Sequence, residues 1–154
     1  MPSFDGTETL IRPMRVEDYD GVYALWISTP GMGLNDIDDS RAGIAAYLRR
    51  NPTTSFVAED GGRIVGAIMA GHDGRRGFIH HTAVLPAYRG RGVGRKLVES
   101  AMAALEKEGI SKTALVVFGR NADGNGFWEH LGFATRGDLV YRNKNIRPLR
   151  RIDT

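Results

Sequence analysis

Residues Arg89 to Arg95 read Arg-Gly-Arg-Gly-Val-Gly-Arg, and they stand between an apolar run that stops at Pro86 and an amphipathic pattern that begins at once. Glycine lets a backbone turn tightly with its N–H groups exposed. The first turn of a helix adds unsatisfied N–H donors and the positive end of its dipole. With Arg89, Arg91 and Arg95 alongside, these features describe a seat for a pyrophosphate. The spacing Arg89-x-x-Gly92-x-Gly94 is not a Walker loop, because no Lys-Ser/Thr follows the glycines. It is not a Rossmann fingerprint either: Pro86-Ala87-Tyr88 intervenes, and no acidic residue ends the next strand. An ordinary strand-to-helix turn carrying surface arginines would share the spacing.

His80 and His81 lie just upstream, within the run Phe78 to Leu85. Histidine titrates near neutrality and suits proton transfer. Strand alternation places Phe78, His80, Thr82 and Val84 on one face and Ile79, His81 and Ala83 on the other. The two imidazoles are therefore expected on opposite faces, and packing within the sheet is the alternative to chemistry for either. The four histidines (His72, His80, His81, His130) show no metal-ligand spacing and cysteine is absent, so no metal is expected. Glu59 ends a strand at a solvated edge or beside a cleft. Asp36, Asp38 and Asp39 could attract a cationic amine or form a solvated loop with a helix cap. Tyr23 and Trp26, at helical spacing, read as core before substrate cage.

Positioning these residues requires a definite set of elements. Thr9 to Met14 reads as a strand, and Val16, Tyr19, Val22, Tyr23 and Trp26 recur at helical spacing until Thr29-Pro30-Gly31. A second helix is expected from Asp39 to Arg50. Two strands flank Asp60-Gly61-Gly62, a hairpin signal. After Asp73-Gly74 comes the strand Phe78 to Leu85. A helix from Gly92 to Glu108 follows, with Val93, Leu97, Val98, Ala101, Met102 and Leu105 as its apolar stripe and Gly109 as its cap. Thr113 to Phe118 reads as a strand buried on both faces. Asn121 to Leu131 is a short helix, and Gly132-Phe133 with Leu139-Val140-Tyr141 reads as a closing strand pair. The order β-α-α-β-β-β-α-β-α-β-β predicts a mixed α/β domain with a central βαβ unit.

At 154 residues, 42% hydrophobic and 25% charged, the chain reads as one globular domain over residues 1–154, with residues 1–8 and 145–154 as flexible tails. No run approaches the roughly 20 apolar residues of a membrane span, and the N-terminus lacks signal-peptide features. A cytoplasmic location and no membrane partner follow as expectations. Net charge is only +3. The basic segment Arg142 to Arg151 lacks interleaved aromatics, so a nucleic-acid partner is not expected.

Thr82-Ala83-Val84-Leu85-Pro86-Ala87-Tyr88-Arg89-Gly90-Arg91-Gly92-Val93-Gly94 resembles motif A of the GNAT superfamily of acetyl-CoA-dependent N-acyltransferases: a hydrophobic-Ala-Val-x-Pro run, then Arg/Gln-x-x-Gly-x-Gly/Ala. Asn121 with Phe127-Trp128-Glu129-His130-Leu131-Gly132-Phe133 resembles motif B, usually Asn-x₆-Tyr-x-x-x-Gly-Phe. Element order agrees over about residues 9 to 142, and Gly71 to Gly77 is similar to the bacterial YpeA-type subgroup. The resemblance implies a mixed, mostly antiparallel sheet of six to seven strands flanked by about four helices, with the cofactor entering a splayed gap between the fourth and fifth strands. It implies acetyl-CoA as acyl-donor co-substrate. Backbone amides of Gly90, Arg91, Gly92, Val93, Gly94 and Arg95 would hold its pyrophosphate, and Arg89 occupies the Arg/Gln position. Thr82, Ala83 and Val84 would pair with the pantetheine. The Val84 amide would face the thioester carbonyl and stabilise a developing oxyanion. Asn121 would contact the pantetheine arm or order the cleft. His80 stands where arylalkylamine N-acetyltransferases of this superfamily carry a catalytic histidine. Trp128 replaces the usual motif-B tyrosine: an indole can pack or donate a hydrogen bond near sulfur but is no proton source at neutral pH.

The resulting expectation is an N-acetyltransferase that moves an acetyl group to a primary amine by direct attack in a ternary complex. A non-catalytic acyl-CoA sensor, or an interaction module using the basic tail, are the alternatives. Homodimer formation would suit C-terminal edge strands, although no residue specifies it.

Overall fold

The computed structural model describes residues 9–153. β1 (Leu10–Pro13) leads through a 3-10 turn into α1 (Tyr19–Ile27), and α2 (Arg41–Arg50) follows a long loop. β2 (Phe56–Asp60) and β3 (Arg63–His72) form the expected hairpin. Gly61 and Gly62 both take positive φ, as a tight two-residue hairpin turn demands. β4 (Gly77–Val84), α3 (Val93–Lys107), β5 (Thr113–Ala114) and α4 (Ala122–His130) complete the chain.

The strands form one sheet in the order β1-β2-β3-β4-β5. The first three pairings are antiparallel, and β4 with β5 is parallel. Helices cover both faces. Val22, Leu25 and Trp26 of α1 and Ile44 and Leu48 of α2 pack on Val57, Ala67, Met69 and Ala83. Val93, Leu97, Val98, Ala101 and Leu105 of α3 pack on Ala58, Val65, Ile68, Ala70 and Ile79. The α3 stripe matches its 3.6-residue period except at Met102, which is 40% exposed at the stripe's edge.

Five strands stand where six to seven were expected. Thr113 to Phe118 was expected as a strand buried on both faces, yet only Thr113 and Ala114 pair, with Gly77 and Phe78. Val116 is 58% exposed. Beyond Ala114 the chain is drawn toward the loop after α1: the Phe118 ring lies so close to Gly31 and Gly33 that a β-carbon there would touch it. The closing pair does not form among the described residues, and Leu139, Val140 and Tyr141 are exposed. Apolar, β-prone residues make a strand only when a neighbouring edge is within reach.

The C-terminal segment, expected as a flexible tail over residues 145–154, makes contacts with the loop after α1. Arg151 bridges Asn35 in antiparallel fashion, and Ile152 N–H donates to Leu34 O at 2.9 Å. Asp153 Oδ1 accepts from the Leu34 N–H, and Asp36 Oδ1 from the Arg150 N–H. The expected tail over residues 1–8 lies outside the described residues.

Candidate active site

β4 carries most of the candidate chemistry, and a bulge in it changes which side chains meet. The β3–β4 register runs from Ala67 opposite Ala83 to Met69 opposite His80, so His81 and Thr82 together face Ile68. His81 has φ 43°, a left-handed conformation uncommon outside glycine. The extra residue breaks the alternation. Ile79 packs on the α3 side while Ala83 packs on the α1/α2 side, although simple alternation put them on one face. His80 and His81, expected on opposite faces, both reach the α1/α2 side: His80 lies against Tyr47 of α2, and His81 stands edge-on to Trp26 of α1.

His80 reaches solvent at the strand surface but is walled by Phe78, Tyr47 and His81, with ring centroids 4.6, 6.0 and 6.1 Å away. Crowding by protein, and secondarily the neighbouring His81, lower its pKa to about 4. The same crowding favours the neutral form of the His80 ring. His81 Nε2 lies 2.8 Å from Asp39 Oδ1, and Asp39 is only 3% exposed. Asp39 was expected within the second helix. Instead Ser40 caps α2, its Oγ accepting from Gly43 N–H at 3.0 Å, which leaves Asp39 free to turn inward. No local signal marked this pair, because 42 residues separate its members.

The open edge of β4 lies where β5 departs. Leu85 N–H donates to Val65 O on β3 at 2.8 Å, so the preceding peptide group of Val84 is turned the other way, toward that edge. Arg89 confirms the direction: its Nε donates to Val84 O at 3.0 Å. Ala83 is 5% exposed in the α1/α2 core. Thr82 Oγ1 is buried without a hydrogen-bond partner, an orphan that such sites rarely keep unless a further group meets it.

The following loop matches its spacing. Tyr88 OH donates to the Asp60 carboxylate and so ties the loop to the β2–β3 hairpin, and the Arg91 guanidinium lies 5.4 Å from the Tyr88 ring centroid. Gly92, at φ 81°, caps α3 and leads Val93, Gly94 and Arg95 into its first turn. Gly94 is glycine for another reason: a β-carbon there would sit 3.1 Å from the Phe127 ring. On α4, Asn121 Oδ1 caps the helix by accepting from Gly124 N–H at 2.9 Å. Trp128 is buried on the α3 side, edge-on to Phe127 and Phe133 at 5.0 Å each.

Other candidates fall outside this constellation. Glu59 pairs with Arg12, which also holds Asp18 in a two-pronged contact at 2.7 and 2.9 Å. A surface depression of about 530 Å³ beside α1 is lined by Arg12, Asp18, Arg63 and Leu85, and none of the expected site residues lines it. Trp26 is core, as its spacing suggested. Among the described residues no group of three or more His, Cys, Asp or Glu could hold a metal ion, and no helix is long and apolar enough to cross a membrane.

The sheet thus opens beyond Ala114 beside the glycine-rich start of α3, with polar side chains on one face of the same strand. The acetyltransferase (GNAT) family profile matches residues 19–133, and the chain belongs to that family. An acetyltransferase of Sodalis glossinidius is 32% identical over 136 residues, covering 88% of this chain and 94% of that protein. An acetyltransferase of Pectobacterium atrosepticum is 34% identical over 125 residues, covering 81% and 87%. Among solved structures, Ard1 from Thermoplasma volcanium shares the fold at TM-score 0.74 and 22% identity, over 83% of this chain and 84% of that one. The PaiA N-acetyltransferase from Thermoplasma acidophilum, solved with coenzyme A, does so at TM-score 0.72 and 18% identity, over 84% and 93%. By membership the chain is an acyltransferase that uses an acyl-CoA.

Proposed function

We propose that the protein is an acetyl-CoA:amine N-acetyltransferase in which acceptor and donor meet at the β4 bulge. One observation carries the reading: the Val84 peptide turns to the open edge beside the Gly92–Gly94 helix start, while His80 and His81 crowd the α1/α2 face of the same strand. The orphaned Thr82 hydroxyl and the edge-turned Val84 peptide fit a pantetheine arm. Acetyl-CoA, when bound, supplies an acyl group activated as a thioester. The backbone of Gly90 to Arg95 would bind its pyrophosphate through N–H groups and the α3 dipole, with Arg89, Arg91 and Arg95 adding charge. The Val84 N–H would orient the thioester carbonyl and stabilise charge on its oxygen. Arg89 would release or share Val84 O as the arm docks. Asn121 acts by holding the start of α4, and Trp128 by packing the wall behind the gap. His80, neutral at working pH, would contact the incoming primary amine.

Calorimetric titration with acetyl-CoA, followed by free-CoA release over a panel of small amines, amino acid amides and peptides, tests this. Saturable binding and turnover with at least one amine are expected; absence of binding refutes the proposal. The buried Trp128, standing where a phenol would supply a proton, favours one other reading, a non-catalytic acyl-CoA sensor. Tight binding with no turnover across the panel would select it.

A further inference from the structure

The bulge residue His81 is held more firmly than packing alone requires. A side chain other than glycine keeps a left-handed backbone only where its surroundings over-determine it. Three contacts do so. His81 Nε2 meets Asp39 Oδ1 at 2.8 Å, His81 O accepts from Trp26 Nε1 at 3.3 Å, and the two rings stand 5.0 Å apart. Asp39 is fixed in turn: its Oδ2 accepts from Asn35 N–H at 2.8 Å and its carbonyl from Tyr19 OH at 2.7 Å. Asn35 bridges Arg151 of the C-terminal segment, so the chain's end braces the same loop.

A carboxylate facing Nε2 requires the proton on that nitrogen, which makes Nδ1 the accepting atom of the neutral ring. The titratable groups that meet this pair are His80 on the strand itself and Tyr19 of α1, whose OH reaches the Asp39 carbonyl. α1 presents the Trp26 ring.

We propose that Asp39 is a positioning residue that sets the orientation and tautomer of His81, and that His81 accepts the proton of the attacking amine at Nδ1. This rests on the N-acetyltransferase reading. The amine nitrogen forms a bond to the acyl carbon, and the carbon–sulfur bond breaks with its electron pair on sulfur. The N–H proton passes to His81 and from there to the departing thiolate or to solvent. His80 lines the approach of the amine and serves binding more than proton transfer.

The test uses the full chain with acetyl-CoA and three probe amines: spermidine, tyramine and L-alaninamide. His81→Gln keeps an N–H for Asp39 but cannot take a proton. It should lower kcat about 100-fold or more while leaving the KM for acetyl-CoA within about twofold. Asp39→Asn should lower kcat about tenfold, and His80→Gln should act mainly on the amine KM. Long-range nitrogen–proton NMR should show His81 protonated at Nε2 in the native protein and a mixed tautomer in Asp39→Asn. A His81→Gln enzyme with near-native kcat, or a His81 tautomer indifferent to Asp39→Asn, overturns the inference. No turnover with any of the amines overturns the transferase reading and the proton role with it. The tautomer measurement still decides whether Asp39 sets the ring.

Discussion

The two sides of β4 are built from different materials. On the open edge beside α3 and α4 the functional parts are backbone: the Val84 peptide, the left-handed Gly92, and Gly94 pressed against Phe127. Toward α1 and α2 they are side chains: His80, His81 and a buried carboxylate. In the proposed function a backbone cradle would recognise what is common to every acyl-CoA, and side chains drawn from a loop, two helices and a strand would recognise one acceptor. The difference teaches that on this reading donor binding would depend on conformation, and acceptor chemistry on contacts between distant residues.

Four measurements would break or sharpen this contrast. Asp39→Ala leaves His81 at a strained position and the Asn35 N–H without their acceptor, and should cost about 3 kcal/mol in urea unfolding. Acetyl-CoA affinity of the folded fraction should change little, and an equal loss of binding would erase the distinction between the sides. Gly94→Leu should strike the other side. With Phe127 only 3.1 Å from the new β-carbon, overpacking should cost about 2 kcal/mol and weaken acetyl-CoA binding roughly tenfold, about 1.4 kcal/mol, by calorimetry. Asp153→Ala removes the side-chain bond to Leu34 N–H and should cost about 1 kcal/mol, a fall of about 3 °C in Tm. Its kinetic effect should fall on the amine and not on the thioester.

The fourth measurement concerns pH. The pKa of His80 is depressed from 6.5 to about 4 in the folded chain. Between those values the unfolded chain binds the extra proton, so stability falls as pH drops from about 6.5 toward 4. His80→Gln should flatten that part of the stability curve. An unchanged slope would show that His80 is not crowded as its neighbours imply.

Much of the fold was legible because it is local. The Asp60-Gly61-Gly62 hairpin, the α3 stripe and the Gly109 turn that ends α3 follow from periodicity and backbone preference within a few residues. Most element ends moved by one or two residues, as at α2, where Ser40 competes with Asp39 for the cap, while β5 ended four residues early. The closing strands were misread because Leu139-Val140-Tyr141 has strand character but finds no edge to pair with.

The site divides along the same line. The Arg89–Gly94 cradle is one continuous segment, so its glycines and arginines announce their purpose in order. His81 and Asp39 meet across 42 residues through a bulge that adds one residue to β4.

By itself, then, the sequence determined most of the elements, their order and the glycine-rich start of α3 proposed as the anion seat, since each is set by short-range backbone geometry. Only the tertiary structure decided that both histidines share one face, that a buried aspartate holds one of them, and that the C-terminal segment braces its loop. Those outcomes depend on which distant groups packing brings within hydrogen-bond reach, and no local pattern encodes that.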